Sequence, residues 1–212
     1  MTPDPLNDQT LRGAVAALAR KDKDLARIAR RVGIPPLWSR PPGFATLVHI
    51  VLEQQVSLAS ARAAFERLLA EVGDLDAAAF LGLTDETLRG CGFSRQKSRY
   101  CRGIAAAVHD GALDLDALAR LPDAAVRKRL VAITGIGPWT ANIYLLMALG
   151  RPDVWPVGDL ALAVAVQQVK RLEMRPGADE LEAIGEAWRP WRSVAARLLW
   201  QSYLDSPGQA SG

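Results

Sequence analysis

Apolar residues recur at three- and four-residue intervals along almost the whole chain, and that period is helical. From Gln9 onward, Leu11, Val15 and Leu18, then Leu25, Ile28 and Val32, form two short stripes on either side of the charged turn Lys21-Asp22-Lys23-Asp24. Gly33 to Gly43 holds four prolines and reads as an irregular crossover anchored by Trp38. Phe44, Leu47, Val48, Val51, Leu58 and Phe65 then trace one helical stripe that ends at Gly73-Asp74, with Gln54 and Gln55 standing where apolar residues would continue it. Three short helices are predicted around 75–81, 84–90 and 94–109, with Thr84 and Ser94 as capping residues. The segment 115–133 leads into Gly135-Ile136-Gly137, and Pro138 to Leu149 reads as the helix that follows. Asp159 opens another helix to about Leu172. Glu180–Trp188 and Ser193–Tyr203 form the last two, joined at Arg189-Pro190-Trp191. Alternating β-branched runs and Asn-Gly turns are missing. The pattern predicts an all-α protein of about ten short helices.

Composition narrows the class. A chain of 212 residues can bury a core as one domain or as two small interlocked ones. The proline-rich crossover is the best candidate for an internal boundary. Residues 1–9 and 207–212 would be disordered. Half the residues are apolar, yet no run approaches the roughly 18 residues of a membrane span. The N-terminus lacks the basic flank and apolar run of a signal peptide. Two cysteines, Cys91 and Cys101, cannot build a disulfide framework or a four-cysteine cluster. They read as free thiols of a cytoplasmic protein. A net charge of +3 permits a polyanionic partner without demanding one.

The candidate chemistry lies between Leu130 and Asp159. Two glycines around one isoleucine make a tight reversal, because glycine reaches positive φ without steric cost. Pro138 suits the first turn of a helix, where its missing N–H is not needed. The product is a helix, a hairpin and a helix whose start offers unpaired N–H groups to an anion, phosphate above all. Thr140 can add a hydroxyl, and the turn carbonyls can hold a monovalent cation. Asp159 sits at a helix N-cap, where the helix dipole favours the carboxylate. The helix from Pro138 carries the chain away by roughly 18 Å, and Gly150 to Gly158 can span up to about 30 Å. The chain can therefore bring Asp159 back towards the hairpin.

Leu130, Gly135, Ile136, Gly137, Thr140, Ala141 and Asp159 together resemble the helix-hairpin-helix (HhH-GPD) DNA glycosylase superfamily. The resemblance covers roughly residues 40–204 and is closest in character to the bacterial 3-methyladenine DNA glycosylase II group. It implies two interlocked helical subdomains, residues 10–42 with 152–206 as one and 43–151 as the other, with the active-site cleft between them, and a monomer acting on double-stranded DNA that holds a damaged base. It further implies a monofunctional N-glycosylase of base excision repair, free of cofactor and metal, located with the bacterial nucleoid and away from membranes. Only about 40 residues precede the match, so the additional N-terminal domain of the longer bacterial enzymes is expected to be missing. Asp159 would stabilise the oxocarbenium-like sugar as a flipped 3-methyl or 7-methyl purine leaves. Trp139, Trp200 and Trp155 would meet the cationic base, with Gln54 at the pocket edge and Ile143 where the family has a tyrosine. Gly135, Ile136, Gly137 and Thr140 would hold the backbone, and Gln55 would fill the gap left by the flipped base. Trp139 stands where bifunctional members carry a Schiff-base lysine, so strand cleavage is disfavoured.

Other readings remain. The hairpin could belong to a non-catalytic module that holds DNA for a partner, or the enzyme could remove oxidised or deaminated bases. Trp188 and Trp191 read as core. Arg95, Arg99 and Arg102 share a helix face, as Arg127, Lys128 and Arg129 share a segment; either group could contact phosphates, but charge runs of this kind usually form solvated faces, and each residue reads as one.

Overall fold

The computed structural model describes residues 4–206, and every regular element among them is helical. The chain is therefore all-α. The first two helices, α1 (Asp8–Lys21) and α2 (Lys23–Val32), pack together through Leu11, Leu18, Leu25 and Ile28. A capping box between Asn7 and Thr10 fixes the start of α1. The sequence predicts disorder through residue 9, but the structure shows order from residue 4. The Leu6 N–H donates to the Gly150 carbonyl at 2.8 Å and its side chain is buried. Residues 1–3 and 207–212, also expected to be disordered, lie outside the described residues.

The stripe from Phe44 to Gly73 is two helices, α3 (Phe44–Glu53) and α4 (Leu58–Val72). The break falls at the two glutamines, and Ser57 caps α4 by accepting from the Ser60 N–H. Leu58, expected on the buried stripe, is 61% exposed because it begins a new helix with its own phase. The short helices follow as α5 (Ala77–Leu81), α6 (Asp85–Gly90) and α7 (Arg95–His109), then α8 (Leu115–Leu118) and α9 (Asp123–Val131). Helix α10 (Pro138–Ile143) is shorter than its apolar pattern suggests, since the backbone widens into a π-helical turn over Tyr144–Ala148. The last three are α11 (Leu160–Lys170), α12 (Ala178–Glu186) and α13 (Arg192–Leu204).

Contacts divide these helices into two compact units. One comprises Arg40–Tyr144 and centres on α3, with α4, α7 and α10 against it. Its core includes Leu47, Ile50, Leu68, Phe80, Ile104 and Leu130. The other runs to Ser39, resumes at Leu145, and packs α2 and α11 against α13. The chain passes from one unit to the other at Tyr144–Leu145, within the π turn, whereas the sequence suggests that step at the loop after Gly150.

In the second unit, α13 is buried along most of its length, including Arg197. Burial pushes the Arg197 guanidinium down to about 10. It donates to the carbonyls of Leu37, Ser193 and Leu146. One cation thereby satisfies the crossover and the π turn. No described helix is long and apolar enough to cross a membrane.

Candidate functional site

The hairpin of the first unit is built from α9, Gly135-Ile136-Gly137 and α10. Gly135 has φ +99°, and a Cβ there would land on the ring of Tyr100, so glycine is required both by backbone and by space. Gly137 differs. Its φ is −88° and a Cβ would meet nothing within 4 Å, so no internal contact demands glycine there. Its open side lies at the start of α10, where Pro138 occupies the first turn and no side chain caps the helix. Among the described residues, no acceptor takes the N–H of Gly135 or Gly137. Two unpaired donors, the second with open ground beside it, suit an approaching anion.

The other hairpin positions divide differently from expectation. Ile136 is buried and holds the turn onto the core, so its side chain is not a DNA contact. Thr140 is also buried, at 1% exposure, and its hydroxyl accepts from Gln54 Nε2 at 2.9 Å. That position withdraws it from phosphate binding. The carbonyls of Ile133, Gly135 and Gly137 accept from Ile136, Gln54 and Ala141 respectively. Each keeps one lone pair, which is what a weakly held monovalent cation would use. Trp139 is half-buried in the first turn of α10.

Gln54 and Gln55 are adjacent and do unlike things. The Gln54 amide bridges the Gly135 carbonyl (3.0 Å) and Thr140, tying the end of α3 to the hairpin. The sequence places it at a pocket edge; the structure makes it a brace for the hairpin. Gln55 is exposed and takes the left-handed conformation with φ +57°. Outside glycine that conformation is uncommon and costs about 1 kcal/mol or more. Val56 beside it is 46% exposed. A strained polar side chain thus stands at the tip between two helices, next to an apolar one.

In the second unit Asp159 is the N-cap of α11, and its Oδ1 accepts the Leu162 N–H at 2.7 Å. The same oxygen accepts the indole N–H of Trp200 at 3.1 Å. Gly158, at φ +92°, makes the turn that delivers it. The carboxylate is half-buried and oriented by two donors from two helices. Trp200 is buried and meets Trp38 edge-on, with ring centres 6.3 Å apart. Trp200 therefore orients the carboxylate.

Two further pocket candidates, Trp155 and Ile143, are buried. Trp155 is core: its N–H donates to the Leu181 carbonyl, its ring meets Trp188 edge-on, and any side chain at Gly185 would strike it. Ile143 is buried at 2% exposure, closing α10 before the π turn. Both cysteines are buried, and burial pushes both thiols up, Cys101 to about 12, which disfavours the thiolate. No group of three His, Cys, Asp or Glu among the described residues could hold a metal ion.

The sequence reading missed several braces. Tyr100 seats Gly135. Lys97, whose ammonium is pushed down by burial, donates to the Leu52 carbonyl at 2.6 Å and closes α3. Arg127 reaches Asn142 at 2.7 Å and locks the two hairpin helices, although its basic run reads as solvated. Helical phase held the signal, since Lys97, Tyr100 and Cys101 share the inward face of α7.

A glycine hairpin with open N–H groups and a helix-capping aspartate define a helix-hairpin-helix protein of the base-excision type. Residues 48–190 match the HhH-GPD superfamily of base excision DNA repair proteins, and the chain belongs to that family. It is 30% identical over 164 residues to a putative DNA-3-methyladenine glycosylase of Bacillus subtilis, covering 74% of this chain and 57% of the relative. The chain thus spans under three-fifths of that relative's length. Among solved structures it resembles the Schizosaccharomyces pombe 3-methyladenine DNA glycosylase Mag1 in complex with abasic DNA. That match has a TM-score of 0.86 and 28% identity, covering 90% of this chain and 96% of the other. A DNA-3-methyladenine glycosidase from Bacillus halodurans matches with a TM-score of 0.76 and 32% identity, over 90% and 88%.

Proposed function

We propose that the protein is a monofunctional DNA N-glycosylase that removes alkylated purines, 3-methyl and 7-methyl, from double-stranded DNA. The observation that carries this reading is the Asp159 carboxylate, held at the start of α11 by the N–H groups of Leu162 and Trp200. The relatives' names supply the substrate class.

An alkylated purine already carries positive charge, so its bond to the sugar is weak and the leaving base needs little protonation. What remains for the protein is to expose C1′ and to stabilise the cation that develops on the sugar. A preoriented carboxylate does the second, because it needs no reorganisation as the charge appears. The base departs with the bonding electrons as a neutral purine, water adds to the C1′ cation, and the proton it loses passes to solvent. Exposure requires the nucleotide to leave the stack. Gln55, exposed at its tip, would fill the vacated space and offer hydrogen bonds to the orphaned partner base. Trp139 would present its π face to the cationic base. The open N–H groups of Gly135 and Gly137 would hold a backbone phosphate without reading sequence.

Trp139 cannot form an imine, so no strand cleavage accompanies base release. A non-catalytic hairpin module would bind duplex equally well but would leave no abasic sites in damaged DNA. The test is a panel of duplexes with single lesions, scored for abasic sites with and without alkali. Release from methylated purines, with nicks only after alkali, is the expected result. Nicking without alkali, or release confined to oxidised or deaminated bases, overturns the assignment.

A further inference from the structure

Outside the hairpin, the first unit carries a cavity of about 610 Å³ where the end of α6 meets the start of α7. Four guanidinium groups, of Arg89, Arg95, Arg99 and Arg102, line it against the single carboxylate of Asp85. Phe93 forms its floor and is buried. The four arginines are not equivalent. Arg102 is fully engaged, donating to the carbonyls of Leu81 and Leu83 and to Asp85 at 2.9 Å. It closes the end of α5 and neutralises the only acid. Arg89, Arg95 and Arg99 have no acceptor among the described residues, and all three are exposed. Three exposed guanidinium groups without acceptors make this wall of the cavity cationic.

Its place in the unit indicates which anion. Arg99 lies over the ring of Tyr100, 5.6 Å from the ring centre, and Tyr100 is the residue on which Gly135 rests. The arginine pocket and the phosphate-seeking hairpin are therefore joined through one side chain of one rigid unit. Duplex DNA presents a charge every ~1.7 Å along its axis. A backbone gripped at Gly135 and Gly137 and running over α7 would bring further phosphates to these arginines.

We infer that the pocket is a second phosphate seat, in which Arg95 and Arg99 grip the backbone of the same duplex away from the damaged nucleotide and Arg102 positions the wall. This rests on the reading of the protein as a glycosylase acting on duplex DNA. Guanidinium groups suit the task because their planar fork matches phosphate oxygens two at a time. The seat adds affinity and register, and takes no part in the chemistry.

The experiment compares wild type with Arg95→Ala/Arg99→Ala and Arg95→Lys/Arg99→Lys. Affinity for a duplex holding a stable abasic-site analogue is measured between about 50 and 200 mM salt, and base release is measured in single turnover with DNA saturating. Two lost phosphate contacts should flatten the slope of log affinity against log salt by about 1.8 and weaken binding on the order of 10–100-fold near 0.1 M. The lysine variant should keep most of the slope, and all three proteins should release base at one rate once saturated. An unchanged slope in the folded alanine variant overturns the seat. So does a slower saturated rate with unchanged binding, which would put the arginines in the chemistry. Failure of the glycosylase reading would look different: wild type would release no base while the slope change persisted.

Discussion

Helices α10 and α11 both begin at a point of biochemical interest, and they begin in opposite ways. At α10 the cap is Gly137, no side chain covers the helix end, and N–H groups stay open beside a residue with no Cβ. At α11 the cap is Asp159, which supplies its own anion to the Leu162 N–H. Both starts carry the same partial positive charge from the helix dipole. One is left without a side-chain cap; the other is met by an anion that the chain itself supplies. A helix start in isolation thus says little, and what occupies its cap says a great deal.

The largest effect tests the α11 side. Asparagine caps a helix about as well as aspartate, so Asp159→Asn should fold with an unchanged melting temperature. It removes the charge, and base release in single turnover should fall about 10²–10³-fold, the usual cost of losing a preorganised electrostatic contact. Near wild-type release would remove Asp159 from the mechanism. On the α10 side the two glycines should separate cleanly. Gly135→Ala forces a Cβ onto Tyr100 at a positive φ, and should cost about 2–4 kcal/mol in denaturant unfolding through overpacking and backbone strain. Gly137→Ala meets neither problem and should leave stability within about 0.5 kcal/mol. Its effect belongs in DNA affinity, about tenfold weaker, because the added methyl stands where the phosphate would approach. Equal stability losses at both glycines would mean that the hairpin is only a structural turn.

Trp200→Phe asks how much of Asp159's orientation comes from across the unit. Phenylalanine keeps the contact with Trp38 and removes the N–H. Leu162 still holds the same oxygen, so a neutral donor worth about 1 kcal/mol is lost, and release should slow about fivefold. A rescue of rate by higher DNA concentration would instead mark Trp200 as a binding residue.

The elements that were legible in the sequence are those whose signal is local. Gly135, Pro138 and Asp159 announce a turn, a first-turn residue and a cap by their own chemistry, and the helical periods follow from spacing alone. The misplaced residues depend on partners distant in sequence. Thr140 reads as an exposed hydroxyl until Gln54, 86 positions away, is seen to donate to it. Trp155 reads as a pocket wall because it lies beside the Asp159 loop, but α12 covers it through Leu181 and Gly185. The break at Gln54-Gln55 was visible as two polar residues on an apolar stripe. Its meaning was hidden, because an insertion into a stripe and the end of a helix look alike until Ser57 is recognised as a cap.

The second unit contains its own control for the Asp159 argument. Asp22 is also an N-cap aspartate, of α2, and it too accepts an indole N–H, from Trp188 at 2.8 Å. It differs in holding Lys170 at 2.7 Å, which itself also reaches Asp24. Burial pushes the Asp22 carboxyl up, but the bonds from Lys170, Trp188 and the Leu25 N–H outweigh it and hold the group below its ordinary value. A depressed carboxyl adds stability that is present above its unfolded value of 3.8 and is lost as the pH falls through the folded one. Asp22→Asn should therefore lower stability near neutral pH by about 1 kcal/mol, with the gap from wild type closing in acid. Saturated base release should not change. If release fell as far as it does for Asp159→Asn, the shared cap-and-indole arrangement would be acting through the fold, and Asp159 would lose its claim to the sugar.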